Sequence, residues 1–138
     1  MTTHLAQEWI TLQNQYDAYE RSSLHIKLTA VVMLLVLFVT DYVTWLTLSL
    51  LLVLWLQDAI WKTYQSRIEV RLLKIETKSA ENQKDEIDQG AFQFNRDFEQ
   101  SRPSTKGLIV EYGKQALRPT IAYPHVVLVV IGLARMFA

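Results

Sequence analysis

The chain contains no cysteine among its 138 residues. Disulfides, thiolate catalysis and cysteine-based metal sites are therefore excluded. A charge excess of either sign is also missing, because 14 basic residues balance 14 acidic ones. No strong overall field then draws the chain to nucleic acid, so nucleic acid is not expected as a partner.

Signatures of nucleotide binding and catalysis are missing as well. The sequence has no G-x-x-x-x-G-K, G-x-G-x-x-G, G-x-S-x-G or H-E-x-x-H pattern. No two of His4, His25 and His125 have metal-ligand spacing on one helix. We therefore predict no cofactor, no metal and no enzymatic activity. One alternative is that His25 and His125 meet at the membrane interface to handle a proton or a metal, although contact with water or backbone is the more ordinary role.

What the sequence does contain is a concentrated apolar block. Between Leu28 and Leu56 the only ionisable side chain is Asp41. The segment 24–61 would extend about 57 Å as one helix, nearly twice the roughly 30 Å hydrocarbon thickness of a bilayer. It is therefore either a transmembrane helical hairpin, with arms 24–39 and 43–61, or one long tilted helix that projects from the membrane.

The hairpin is the favoured arrangement. Asp41 near mid-bilayer would cost at least ~2.5–3.5 kcal/mol, whereas a turn at Thr40-Asp41-Tyr42 places it in water. That turn has neither glycine nor proline. The basic residues flank the outer ends of both arms, and the turn carries none. These residues are Arg21, Lys27, Lys62, Arg67 and Arg71.

This charge distribution predicts the orientation. The positive-inside rule places both hairpin ends, and the N-terminus, in the cytoplasm of a bacterial inner membrane. About two dozen mostly polar residues precede the block, and the block is too long for a signal core. We therefore expect it to be retained rather than cleaved as a signal peptide.

The C-terminal segment 121–138 is a third candidate span. Its 18 residues give about 27 Å of helix, just enough to cross the hydrocarbon. Arg118 precedes it, and Arg135 near its far end is placed to snorkel to the headgroups. The alternative is a segment that only dips into the bilayer or packs against protein.

Apolar stripes continue outside the predicted spans. One falls on Leu5, Trp9, Leu12, Tyr16 and Tyr19, and another on Trp61, Tyr64, Ile68, Leu72, Ile75 and Ser79. Steps of three and four residues predict amphipathic helices, the second running on to near Gly90. The two stripes either pack against each other or meet their copies in another subunit. Further on, we predict a loop over 101–107 and a short helix over 108–117, interrupted by Gly113.

The predicted class is an all-α membrane protein, a transmembrane helical hairpin with cytoplasmic helical extensions and a third C-terminal transmembrane helix. Its parts are an amphipathic helix over 1–23, the hairpin over 24–61, a cytoplasmic helical region over 62–119 and the last span over 120–138. Asp58 has an i, i+4 partner in Lys62, which explains it without a function.

Three functions are compatible with these features. The first is a small inner-membrane protein that acts by helix association, as a homo-oligomer or as a subunit of a membrane complex, with the bilayer as its other partner. The second is an oligomeric pore in which Asp41 favours cations. The third is a membrane-interface enzyme or lipid-handling protein that uses His125 and Arg118. Asp41, His125 and Arg118 are therefore the candidate functional positions.

Overall fold

The computed structural model of the protein describes residues 3–80, 94, 96, 99 and 103–138. Within these residues there are four helices and no strand. We number them α1 (Thr3–Val39), α2 (Trp45–Ala80), α3 (Thr105–Ala116) and α4 (Pro119–Phe137). The predicted all-α class is confirmed for this part of the chain, and three of these helices are long and apolar enough to cross a membrane.

A short turn joins α1 to α2, and the two helices pack antiparallel along their length. The turn begins at Thr40, as predicted, and Asp41 supplies the reversal with a φ of 58°. Aspartate tolerates this left-handed conformation better than most residues, which is how the chain turns without glycine. The second helix starts at Trp45 rather than Val43, because the Thr47 hydroxyl accepts the Thr44 N–H at 3.2 Å.

The two apolar stripes pack against each other, which is one of the two arrangements that the sequence left open. Leu5, Leu12, Ile68, Leu72 and Ile75 form one buried cluster, with Trp9, Tyr16 and Tyr19 packed on its edge. Polar contacts flank this cluster. Arg71 Nε donates to Glu8 Oε1 at 2.8 Å, and Trp9 Nε1 donates to Glu76 Oε1 at 3.0 Å. The Ser79 side chain and the predicted continuation toward Gly90 lie outside the described residues.

Helix α4 packs against both α1 and α2 at the end nearer the turn. A second apolar cluster joins the three helices there, formed by Ala30, Leu34, Leu48, Leu51 and Leu128. Gly132 makes the approach close, because a Cβ built on it would lie 2.8 Å from Leu48 Cδ2. The far end of α4 reaches the turn, where the rings of Trp45 and Phe137 meet edge to face at 6.4 Å.

Helix α3 corrects the predicted loop over 101–107. The helix begins at Thr105, because the Ser104 hydroxyl accepts the Gly107 N–H at 3.3 Å and caps its first turn. It also runs through Gly113 without interruption. An Arg67–Glu111 ion pair of 2.9 Å fixes it to α2.

Candidate functional site in the buried core

A cluster of ionisable and polar side chains joins the three long helices between their two apolar clusters. It consists of Ser23 and Lys27 from α1, Asp58 from α2 and His125 from α4, and we call it the Asp58 cluster. Ser23, Asp58 and His125 are completely buried. The Lys27 side chain keeps 20% of its surface exposed. Buried ionisable groups are rare unless they are paired, so this cluster is the most distinctive feature of the core.

Asp58 is the centre of the cluster. Ser23 Oγ donates a hydrogen bond to its Oδ1. On the other carboxylate oxygen, Oδ2, His125 Nε2 lies at 3.3 Å and Lys27 Nζ at 3.6 Å. Lys27 also donates to the Thr120 carbonyl at 3.3 Å. Both carboxylate oxygens therefore have partners, drawn from two other helices, and the three helices are fixed in one register.

The His125 ring has a defined orientation. It stacks on Trp55 with ring centroids 6.2 Å apart and an angle of 9° between planes. Trp55 in turn donates through Nε1 to the Ala116 carbonyl at 3.1 Å. His125 Nδ1 is buried without a hydrogen-bond partner among the described residues. The tautomer that carries its proton on Nε2 fits this environment, because protonation of Nδ1 as well would bury an unpaired N–H.

The arrangement differs from that of a serine nucleophile. In such a site the imidazole contacts the serine hydroxyl and removes its proton. Here Asp58 lies between Ser23 and His125, and the hydroxyl donates to the carboxylate. With all three side chains buried, no substrate reaches Ser23 Oγ in this conformation. The geometry suits the fixation of the three helices against one another.

Sequence reasoning missed this cluster, and the expected Asp58–Lys62 pair is wrong. Lys62 instead contacts Glu20 across to α1 and Gln65 on its own helix at 2.8 Å. A signal was nevertheless present, because Asp58 stands seven residues after Leu51 and seven before Gln65, both buried. That spacing places Asp58 on the face of α2 that packs against other helices.

The three predicted positions lie apart. His125 is in the Asp58 cluster, with Asp58 and not His25 as its partner, while His25 is exposed. Asp41 lies at the turn and accepts a hydrogen bond from Arg135, whose guanidinium also lies 5.5 Å from the centre of the Phe38 ring. The structure thus gives Asp41 a partner that the sequence did not reveal.

Arg118 is the third predicted position. It precedes the first residue of α4, and its carbonyl accepts the N–H groups of Ile121 and Ala122 at 2.9 and 2.8 Å. Its side chain is exposed and lines a polar cleft beside α2. Arg118 is therefore at the N-terminal end of α4 but is not among the contacts of the Asp58 cluster.

No described group of three or more histidine and acidic residues has the geometry of a metal site. The sequence matches no family model, and comparisons with curated proteins and with solved structures found no match.

Proposed function

We propose that this chain is a three-span protein of the bacterial inner membrane, with α1 and α2 as a transmembrane hairpin and the N-terminus in the cytoplasm. Three membrane-length helices support this placement. The outward faces of the three helices near the turn are apolar, as a lipid environment requires; Leu35, Val53 and Val130 are each more than half exposed.

The charges support the orientation. Lysine and arginine residues are more frequent on the cytoplasmic side of a membrane protein. Lys62 and Arg71, each paired with a glutamate, lie on the side away from the turn. At the turn, Arg135 is paired with Asp41. Since the chain has no native cysteine, single cysteines can report the side directly. A membrane-impermeant maleimide added to intact spheroplasts should label Asp41→Cys and leave Lys114→Cys unlabelled until lysis. The reverse pattern would reverse the orientation, and labelling of both would contradict the crossing.

Within that membrane we propose that the protein acts by helix association, as a homo-oligomer or as a subunit of a larger complex. The observation that carries this proposal is an apolar pair on α2 beyond the depth of the lipid. Val70 and Leu73 are 56% and 55% exposed. They lie on one face, roughly 38 and 42 Å along the helix from Trp45, past a hydrocarbon core of about 30 Å. Lipid chains do not reach this depth, so a protein surface is the cover that would bury them.

The mass of the particle in lipid nanodiscs tests association. Native mass spectrometry should show the chain as a discrete oligomer or in stoichiometric complex with another subunit. A Val70→Ser/Leu73→Ser double variant should release monomers. Ile10→Ser is the comparison, since Ile10 is 53% exposed at similar depth on α1. Release of monomers only by the α2 variant assigns the association surface to α2. A monomeric wild type without a stoichiometric partner would refute the proposal.

Lipid handling is a second candidate function, and the polar cleft beside Arg118 favours it. The pore alternative has less support, because the Arg135 guanidinium neutralises the carboxylate that would attract cations at Asp41. Conductance in reconstituted bilayers, with an ion selectivity that changes in Asp41→Asn, would support the pore function instead. Membrane-bound turnover of a lipid that disappears in Arg118→Gln would favour lipid handling over association alone.

A further inference from the structure

A polar cleft of about 230 Å³ opens where α1, α2 and the start of α4 meet. Tyr16 from α1, Lys62 and Glu69 from α2, and Arg118 and Thr120 from the start of α4 contribute to its wall. The space greatly exceeds the roughly 30 Å³ that one water molecule occupies in the liquid. The cleft is therefore large enough for a small polar group.

Two cationic side chains, Lys62 and Arg118, line this cleft, and they differ in whether they are already paired with a carboxylate. Lys62 is largely occupied, since it contacts the Glu20 carboxylate and the Gln65 side-chain oxygen. Arg118 is exposed, and within the described part of the chain no carboxylate lies within 4.0 Å of its guanidinium. A guanidinium presents up to five N–H donors in a planar fork that matches phosphate oxygens. Arg118 is thus the donor set available to an incoming anion.

The cleft also lies at a defined depth relative to α4. The helix begins at Pro119 and its 19 residues span about 28 Å, the thickness of a hydrocarbon core. If α4 crosses the bilayer, its first residues stand level with the headgroups of the inner leaflet. Thr120 and Ile121, the second and third residues of α4, both line the cleft. Its mouth is therefore at the height of lipid phosphates.

We propose that this cleft binds a phosphate ester, supplied by the headgroup of an anionic phospholipid in the inner leaflet. Arg118 binds the phosphate oxygens, while the Lys62 ammonium stays paired with Glu20. The Glu69 carboxylate, which shares the wall, opposes the anion and limits its affinity. This inference rests on the membrane placement of α4 proposed above and is independent of helix association.

The test measures lipid retention on the full-length protein by native mass spectrometry. Nanodiscs of phosphatidylcholine containing a minor fraction of phosphatidylglycerol supply the probe lipid. Arg118→Gln should weaken phosphatidylglycerol binding about tenfold, the usual effect of losing a charged hydrogen bond. Glu69→Gln should strengthen it by up to about fivefold, because the exposed carboxylate no longer repels the phosphate.

Arg21→Gln is the control, since Arg21 is an exposed arginine of α1 that does not line the cleft. Its effect should remain below about twofold. Equal losses in Arg118→Gln and Arg21→Gln would show only general surface attraction and would overturn the proposal, as would retention unchanged in Arg118→Gln. Circular dichroism of each variant checks that the helices remain intact.

A titration with glycerol phosphate in detergent without lipid separates the two sources of phosphate. Absence of binding at millimolar concentration is expected for a headgroup site. Saturable binding that disappears in Arg118→Gln would assign the cleft to a soluble phosphate ester and overturn the lipid source. The particle mass in the same nanodisc spectra reports association, so failure of the cleft proposal and failure of the association proposal give different results.

Discussion

Removal of the Asp58 carboxylate should be the most destabilising single change in the described core. In Asp58→Ala the Ser23 hydroxyl, His125 Nε2 and the Lys27 ammonium lose their common acceptor. Ser23 and His125 are completely buried, so water cannot replace the carboxylate without entering the helix interface. Breaking a buried charge pair by removing one partner costs ~3–5 kcal/mol.

The matched control removes a carboxylate of the same kind at the other end of the molecule. Asp41 also has one basic partner, Arg135, but its side chain is 72% exposed. Solvent screens such a pair, and asparagine tolerates the left-handed φ of 58° as aspartate does, so Asp41→Asn should cost at most about 1 kcal/mol. Thermal unfolding in one detergent should show a loss of roughly 10 °C or more for Asp58→Ala and a few degrees for Asp41→Asn.

A further variant separates the stability that the Asp58 cluster contributes from the stability lost when His125 is left without its partner. Replacing Asp58 and His125 together by leucine removes both the buried carboxylate and its buried imidazole partner. The double variant leaves no buried imidazole without a partner, and the leucine side chains fill the space, so it should be more stable than Asp58→Ala. Equal losses of stability in Asp58→Ala and Asp41→Asn would refute this expectation, since burial would then not matter.

Three further predictions test the packing of α4, its direction and the cap of α3. Gly132→Leu should lower the unfolding temperature, costing about 1–3 kcal/mol by overpacking against Leu48. Gly132→Ala should cost less, because the Leu48 methyl group can shift away from one added carbon. Equal stability of the wild type and both variants would contradict the close approach. Asp41→Cys with Arg135→Cys should be joined within one chain by a short bis-maleimide, seen as a gel shift, because the Arg135 side chain spans the gap to Asp41 and a cross-linker of similar length can replace it; failure to cross-link would contradict the placement of the end of α4 at the turn. Ser104→Ala should cost about 1 kcal/mol and speed hydrogen exchange in the first turn of α3 alone; unchanged exchange there would show that the cap is not needed.

Local pattern was sufficient for the helices and for their apolar faces. Two patterns carried the prediction: the run from Leu28 to Leu56 with one charge, and the apolar stripes with steps of three and four residues. Both patterns involve residues within a few helical turns of each other. Helix formation and amphipathicity depend on the same range, so α1, α2 and α4 followed from sequence. The packing of the two stripes in one cluster did not, because the same stripes would also suit a contact between subunits. The start of α3 did not, because the tripeptide Pro-Ser-Thr is typical of both a loop and a helix cap.

Only the tertiary structure decided which charges meet. Asp58 was assigned to Lys62 by helical spacing, but its partners come from positions 35 residues before it and 67 after it. Asp41 likewise meets Arg135 across 94 residues. Spacing along one helix says nothing about which turn of a second helix lies opposite, because that register is fixed by the packing of whole faces. The sequence by itself determined a three-helix apolar framework, and the packing of those helices created both the buried Asp58 cluster and the cleft beside Arg118.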